Sequence, residues 1–124
     1  MTSSQFTNLA TNLAAGIERW PIAGAFTISR GAKTEAVTVV AEVSRGPHAG
    51  RGECVPYPRY GETPEATLAV LQAMQEPLRR GLDRLGLQTA MPPGAARNAL
   101  DCALIDLEAK TAGQRAWNLL GRQP

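Results

Sequence analysis

The chain has 124 residues, 44% of them hydrophobic and 19% charged, with a formal net charge of +2. That fits one globular domain with a modest core. It excludes a nucleic-acid binder, whose arginines would form a stripe, and a transmembrane helix, which needs a run of about 18 apolar residues.

The first twelve residues are polar, without the basic start and apolar stretch of a signal peptide, and are expected to be a flexible N-terminus. Residues 14–22, holding Ile17, Arg19 and Trp20, read as a first strand that stops at Pro21. Residues 23–31 follow as a flexible connection. Val37, Val39 and Val40 give residues 35–43 high β-propensity. Residues 44–50, rich in Gly and Pro, read as a turn, and residues 52–55 as a third strand.

The hydrophobic period then changes from 2 to about 3.6. Thr63 suits a helix N-cap and Pro64 the first helical position. Leu68, Leu71, Met74 or Gln75, Leu78 and Leu82 form an apolar stripe, and Pro77 should kink or end this helix near Glu76. A second helix or turn spans 78–85, closed by Gly86. Residues 91–94 are a linker. A long helix spans 95–112, with Gly113 as C-cap. Ala96, Leu100, Ala103 and Leu107 lie on one face, beside Ala99 and Cys102, and a face this rich in alanine would let a partner helix approach closely. Trp117 begins a terminal helical turn and seals the core. The fold class is α+β: a three-stranded antiparallel meander followed by a small helical bundle.

The stretch RGECVPYPRYGETPE, residues 51–65, is dense in turn residues and carries Tyr57, Arg59 and Tyr60. Cys54 and Cys102 read as buried thiols in a reducing cytoplasm. His48 reads as a solvated loop residue. Glu53 and Glu62 do not read as an acid–base pair, because no partner base accompanies them. Asp101 and Asp106, five apart on a helix, read as interface or capping partners. There is no zinc pattern and no phosphate loop.

The segment ARNALDCALIDLEAKTAGQRAWNLLG, residues 96–121, resembles the helical signature of the enolase superfamily's N-terminal capping domain, in its mandelate racemase/muconate lactonizing branch. Arg115 and Ala116 depart from the small or proline and then aliphatic pair usual there. ERWPIAGAFTISRGAKTEA and GRGECVPYPRYGET resemble the dipeptide (L-Ala-D/L-Glu) epimerases. The resemblance implies that residues 13–124 are a capping domain. A (β/α)-barrel would follow it, carrying lysine bases and acidic ligands for magnesium. This chain ends before any such barrel, so no catalytic or metal residue is expected in it. Its partners would be its own barrel domain and a small dipeptide, with no nucleic acid or membrane. Full-length members are often oligomeric.

The resemblance also assigns substrate-binding residues. Arg30 would meet the substrate's side-chain carboxylate through its planar fork; the alternative is a solvated loop arginine. Phe26 and Ile28 would cover the substrate, or Phe26 would plug the core. Lys33 would add positive charge or stand solvated. Tyr57 would line the site entrance, or simply cover a helix end. Two other readings remain: the same domain of a muconate cycloisomerase-like or o-succinylbenzoate synthase-like enzyme, and a free-standing binding module.

Overall fold

The computed structural model describes the backbone of residues 9–28, 31–113 and 115, and the side chains of those outside 22–34. Strand β1 (Asn12–Ile28) pairs antiparallel with β2 (Gly31–Arg45), which pairs antiparallel with β3 (His48–Cys54). Alternation sets the faces. Leu13, Val39, Ala41, Val43 and Cys54 are buried in the core, and Ala15 and Ile17 pack against it. The residues between them face the other side of the sheet, where Val40 is also buried. There Arg51 reaches across β2 to Glu18, at 2.9 Å, and stands 3.8 Å from Glu53.

All three strands are longer than the sequence suggests. Pro21 does not end β1. The register slips between Pro21 and Phe26, then pairing resumes at Phe26↔Lys33, Thr27↔Ala32 and Ile28↔Gly31. Proline removes one ladder donor, and the slip absorbs that loss. The expected flexible connection is therefore paired strand up to Ile28. The turn between β2 and β3 shrinks to Gly46-Pro47, with Gly46 at φ 58°. His48 opens β3 rather than sitting in a loop. Within the expected N-terminal tail, Thr11 is buried and accepts hydrogen bonds from Arg45 Nε (3.0 Å) and Nη2 (2.7 Å).

Helix α1 (Pro64–Gln72) starts as predicted: Thr63 Oγ1 accepts from the Ala66 amide at 3.1 Å. Its end differs. Pro77 lies inside α2 (Gln75–Arg79), in the first turn. There its missing N–H would have had no helical partner anyway. Helix α3 (Arg84–Ala90) contains Gly86 instead of ending before it, because Asp83 caps it by accepting from the Gly86 amide at 2.8 Å. Helix α4 (Ala95–Ala112) and its C-cap Gly113, at φ 67°, fall where the sequence puts them. Trp117 lies outside the described residues.

The alanine face of α4 meets a strand, not a helix. Gly50 and Gly52 of β3 lie against the backbone of Ala103, Leu107 and Ala99, where a Cβ on either glycine would collide with a helix carbonyl oxygen. Ala99, Leu100, Ala103, Leu104 and Leu107 are buried there; Cys102 is exposed, against expectation, because it falls on the outward side of α4. Asp106 accepts the Arg51 backbone N–H at 2.9 Å and the Lys110 ammonium at 3.0 Å. It thereby occupies part of the open edge of β3. Arg84 and Asp101, 2.9 Å apart, tie α3 to α4. Both aspartates act as structural partners.

Candidate functional site

Two elements reach beyond the core at the β1–β2 tip and after β3. The first is the end of the β1–β2 hairpin. Its ladder closes at Ile28↔Gly31, which places the backbones of Phe26 and Ile28 in the last pairs. The side chains of Phe26, Ile28 and Lys33, and all of Arg30, lie outside the described residues.

The second is the turn after β3. Tyr57 is extended (φ −110°, ψ 113°), as a residue before proline should be, and a 3₁₀ turn follows over Pro58–Tyr60. Gly61, at φ 74°, ends it by donating to the Pro58 carbonyl at 2.9 Å. The Tyr57 and Tyr60 rings stand 5.3 Å apart at 58°. Tyr57 is 50% exposed, Tyr60 75% and Val55 62%. Both rings are partly exposed on the side of the turn that faces the start of α4.

Between this turn and the start of α4 is an open cleft of about 540 Å³, lined by Thr38, Glu53, Val55, Tyr57, Tyr60 and Asn98 among others. Thr38 Oγ1 is buried there without a hydrogen-bond partner. Glu62 also faces the cleft. Its Oε1 accepts from the Tyr57 amide at 3.0 Å and its Oε2 from the Ala95 amide at 2.8 Å. Those two amides, Ala95 foremost, hold its carboxyl below the usual carboxylate range. Glu62 is thus committed, and Glu53 leans on Arg51, so the two carboxylates do not form a proton-transfer pair. Burial pushes the Cys54 thiol up to about 11, with the Glu62 charge adding to it. A thiol in that state is a poor nucleophile at neutral pH.

The described residues do not fit a metal ion. No group of three or more His, Cys, Asp or Glu among them converges on one point. The acids engaged by neighbours are held by amides or cations: Glu62 by two amides, Glu18 by Arg51, Asp101 by Arg84, Asp106 by Lys110. No described helix is long and apolar enough to cross a membrane. The role of Glu62 was not visible in the sequence, because its second partner lies 33 residues away.

A three-stranded antiparallel meander followed by a helical cluster is the fold of a capping domain of the enolase type. The sequence profile of the mandelate racemase / muconate lactonizing enzyme N-terminal domain matches residues 10–121, and the chain belongs to that family. It is 46% identical over 104 residues to the L-Ala-D/L-Glu epimerase of Escherichia coli K12, covering 84% of this chain and 32% of that protein. It is similar to a solved enolase family member from Agrobacterium tumefaciens with homology to dipeptide epimerases, which holds sodium and L-Ala-L-Glu. That match has a TM-score of 0.85 and 53% identity, covering 92% of this chain and 35% of that one. It is also similar to the dipeptide epimerase of Methylococcus capsulatus, complexed with magnesium and L-Arg-D-Lys. There the TM-score is 0.77 and the identity 27%, covering 92% and 35% of the two chains. The chain therefore spans about a third of the length of these relatives.

Proposed function

We propose that this chain is the substrate-capping and specificity domain of a dipeptide epimerase, and that it works on a (β/α)-barrel domain that carries the catalysis. The observation that carries this reading is the 53% identical structure, matched over 92% of this chain, that holds L-Ala-L-Glu. The E. coli relative, an L-Ala-D/L-Glu epimerase, carries the same glutamyl group in its name. In the assembled enzyme a magnesium ion, as in the M. capsulatus relative, would sit in the barrel. It would supply the positive charge that stabilises the anion left when the α-proton is removed. This chain's residues do other work. Phe26 and Ile28, on the hairpin, exclude water over the substrate. Arg30, at its tip, takes the substrate's side-chain carboxylate in a bidentate pair. Tyr57 forms the edge of the entrance. The free Cys54 and Cys102 suit a reducing cytoplasm.

The test joins this chain to its catalytic barrel and measures epimerisation of L-Ala-L-Glu against L-Ala-L-Ala and against muconate. Activity on L-Ala-L-Glu is expected. Arg30→Ala should raise KM for the acidic dipeptide by about 10- to 100-fold, the range of a lost charged hydrogen bond, and leave the neutral dipeptide unchanged. Turnover of muconate alone would overturn the reading in favour of a cycloisomerase. A preference for cationic dipeptides, as the M. capsulatus complex illustrates, would overturn the role given to Arg30.

A further inference from the structure

We propose that Glu62 is a positioning residue that latches the Tyr57 turn onto the N-terminus of α4, and so sets where the Tyr57 and Tyr60 rings stand at the cleft. The functional side of this inference rests on the capping-domain reading; the latch itself rests on geometry alone. Glu62 holds Tyr57 from both sides. Its backbone N–H donates to the Tyr57 carbonyl at 3.3 Å, and its Oε1 accepts from the Tyr57 amide at 3.0 Å. The other oxygen crosses to the Ala95 amide at 2.8 Å. One side chain therefore closes the turn on itself and docks it to a helix 33 residues away in sequence.

Helix α4 has no cap of its own. Thr63 and Asp83 cap α1 and α3 with their own side chains, but α4 begins after Gly94, which has none. The first amides of a helix lack internal partners and carry partial positive charge. A carboxylate from elsewhere satisfies both needs. Gly94 makes room for it: it sits at φ 156°, and a Cβ there would stand 3.1 Å from Glu62 Oε2. Pro58 restricts Tyr57 from the other side, and the Tyr57–Tyr60 ring contact at 5.3 Å passes the constraint on. The low carboxyl pKa of Glu62 has these same two amides as its cause.

The experiment follows the backbone amides and tyrosine rings of this chain by NMR as pH is lowered. The Tyr57 and Ala95 amides should titrate together, at one midpoint below the ordinary carboxylate range, and the Tyr57 and Tyr60 ring protons should move with them. Glu62→Gln should remove this titration and speed exchange of both amides by about 10-fold or more, while amides in the middle of α4, such as Ala103, keep their protection. Separate midpoints for the two amides, or exchange unchanged in Glu62→Gln, would overturn the latch. If the variant fails to fold, the wild-type titration decides alone. In the assembled enzyme, Glu62→Gln should raise KM for the dipeptide more than it lowers kcat; an equal loss in both would reduce Glu62 to a fold-supporting residue. A latch seen by NMR in a chain that confers no dipeptide selectivity would sink the capping-domain reading and leave the latch standing.

Discussion

Gly52 of β3 lies against the carbonyl oxygen of Ala99 on α4 so closely that no side chain fits between them. Gly50 stands in the same relation to Ala103. Two strand glycines facing two helix alanines remove the side-chain layer that usually separates a sheet from a helix. Gly52→Ala should destabilise the chain by about 1–3 kcal/mol, toward the upper end, because the colliding atoms are backbone and cannot turn away. Gly50→Ala should behave alike. Gly16, on the outer face of the same sheet, has nothing within 4 Å of its would-be Cβ. Gly16→Ala should be neutral or stabilising by up to about 1 kcal/mol. Urea midpoints for the three variants check this; equal losses would show that backbone freedom, not the close approach, governs these glycines.

The two thiols should separate cleanly. Cys102 is exposed on α4, whereas Cys54 is buried and its thiol lies at about 11. A thiol reagent at pH 8 should label one cysteine per native chain, and the second only in denaturant. Mass spectrometry should place the native label on Cys102. Rapid native labelling of Cys54 would show that the β3–α4 contact opens.

Asp106 ties stability to pH. Burial pushes its carboxyl up, but the Arg51 amide and the Lys110 ammonium outweigh that and hold it below its ordinary value. A carboxyl lowered by folding stabilises the chain above its unfolded pKa of about 3.9. That stability is lost as pH falls through the folded value. Urea midpoints should therefore drop between pH 5 and pH 2, to about the degree set by the ionised acids. Asp106→Asn should shallow the drop; parallel curves would show that the Arg51 and Lys110 contacts contribute nothing.

Tyr57 should matter to substrate and little to the fold. Its ring is half exposed, and its backbone amide stays with Glu62 whatever the side chain. Tyr57→Ala should change stability by no more than about 0.5 kcal/mol and still weaken dipeptide binding in the assembled enzyme. Calorimetric melting beside KM measurements tests both halves; a large drop in melting temperature would make Tyr57 a packing residue.

Much of the fold could be read from local signals. Helix α4 announces itself by alanine and leucine at helical spacing, and by Gly113. Thr63-Pro64 opens α1 for equally local reasons. What misled is residues whose meaning depends on a distant partner. Gly50 looks like a turn residue until α4 is laid beside it. Pro21 looks like a stop until β2 shows that pairing resumes beyond it. Gly86 looks like a helix end until Asp83 is seen to cap the turn that contains it. In the site, the extended backbone of Tyr57 follows locally from Pro58 after it. The part played by Glu62 does not, because half of it lies with Ala95.

The hairpin has one further consequence. β3 pairs with β2 only from Val39 to Arg45, whereas β1 and β2 pair on from Glu18↔Thr38 to Ile28↔Gly31. Among the described residues that outer arm has no third strand beside it, so its length is not fixed by the register of the whole sheet. Residues could be added or removed there in facing pairs, lengthening or shortening the reach of its tip, while each remaining side chain kept its face. Such a change of reach would require no repacking of the glycine–alanine seam beneath it.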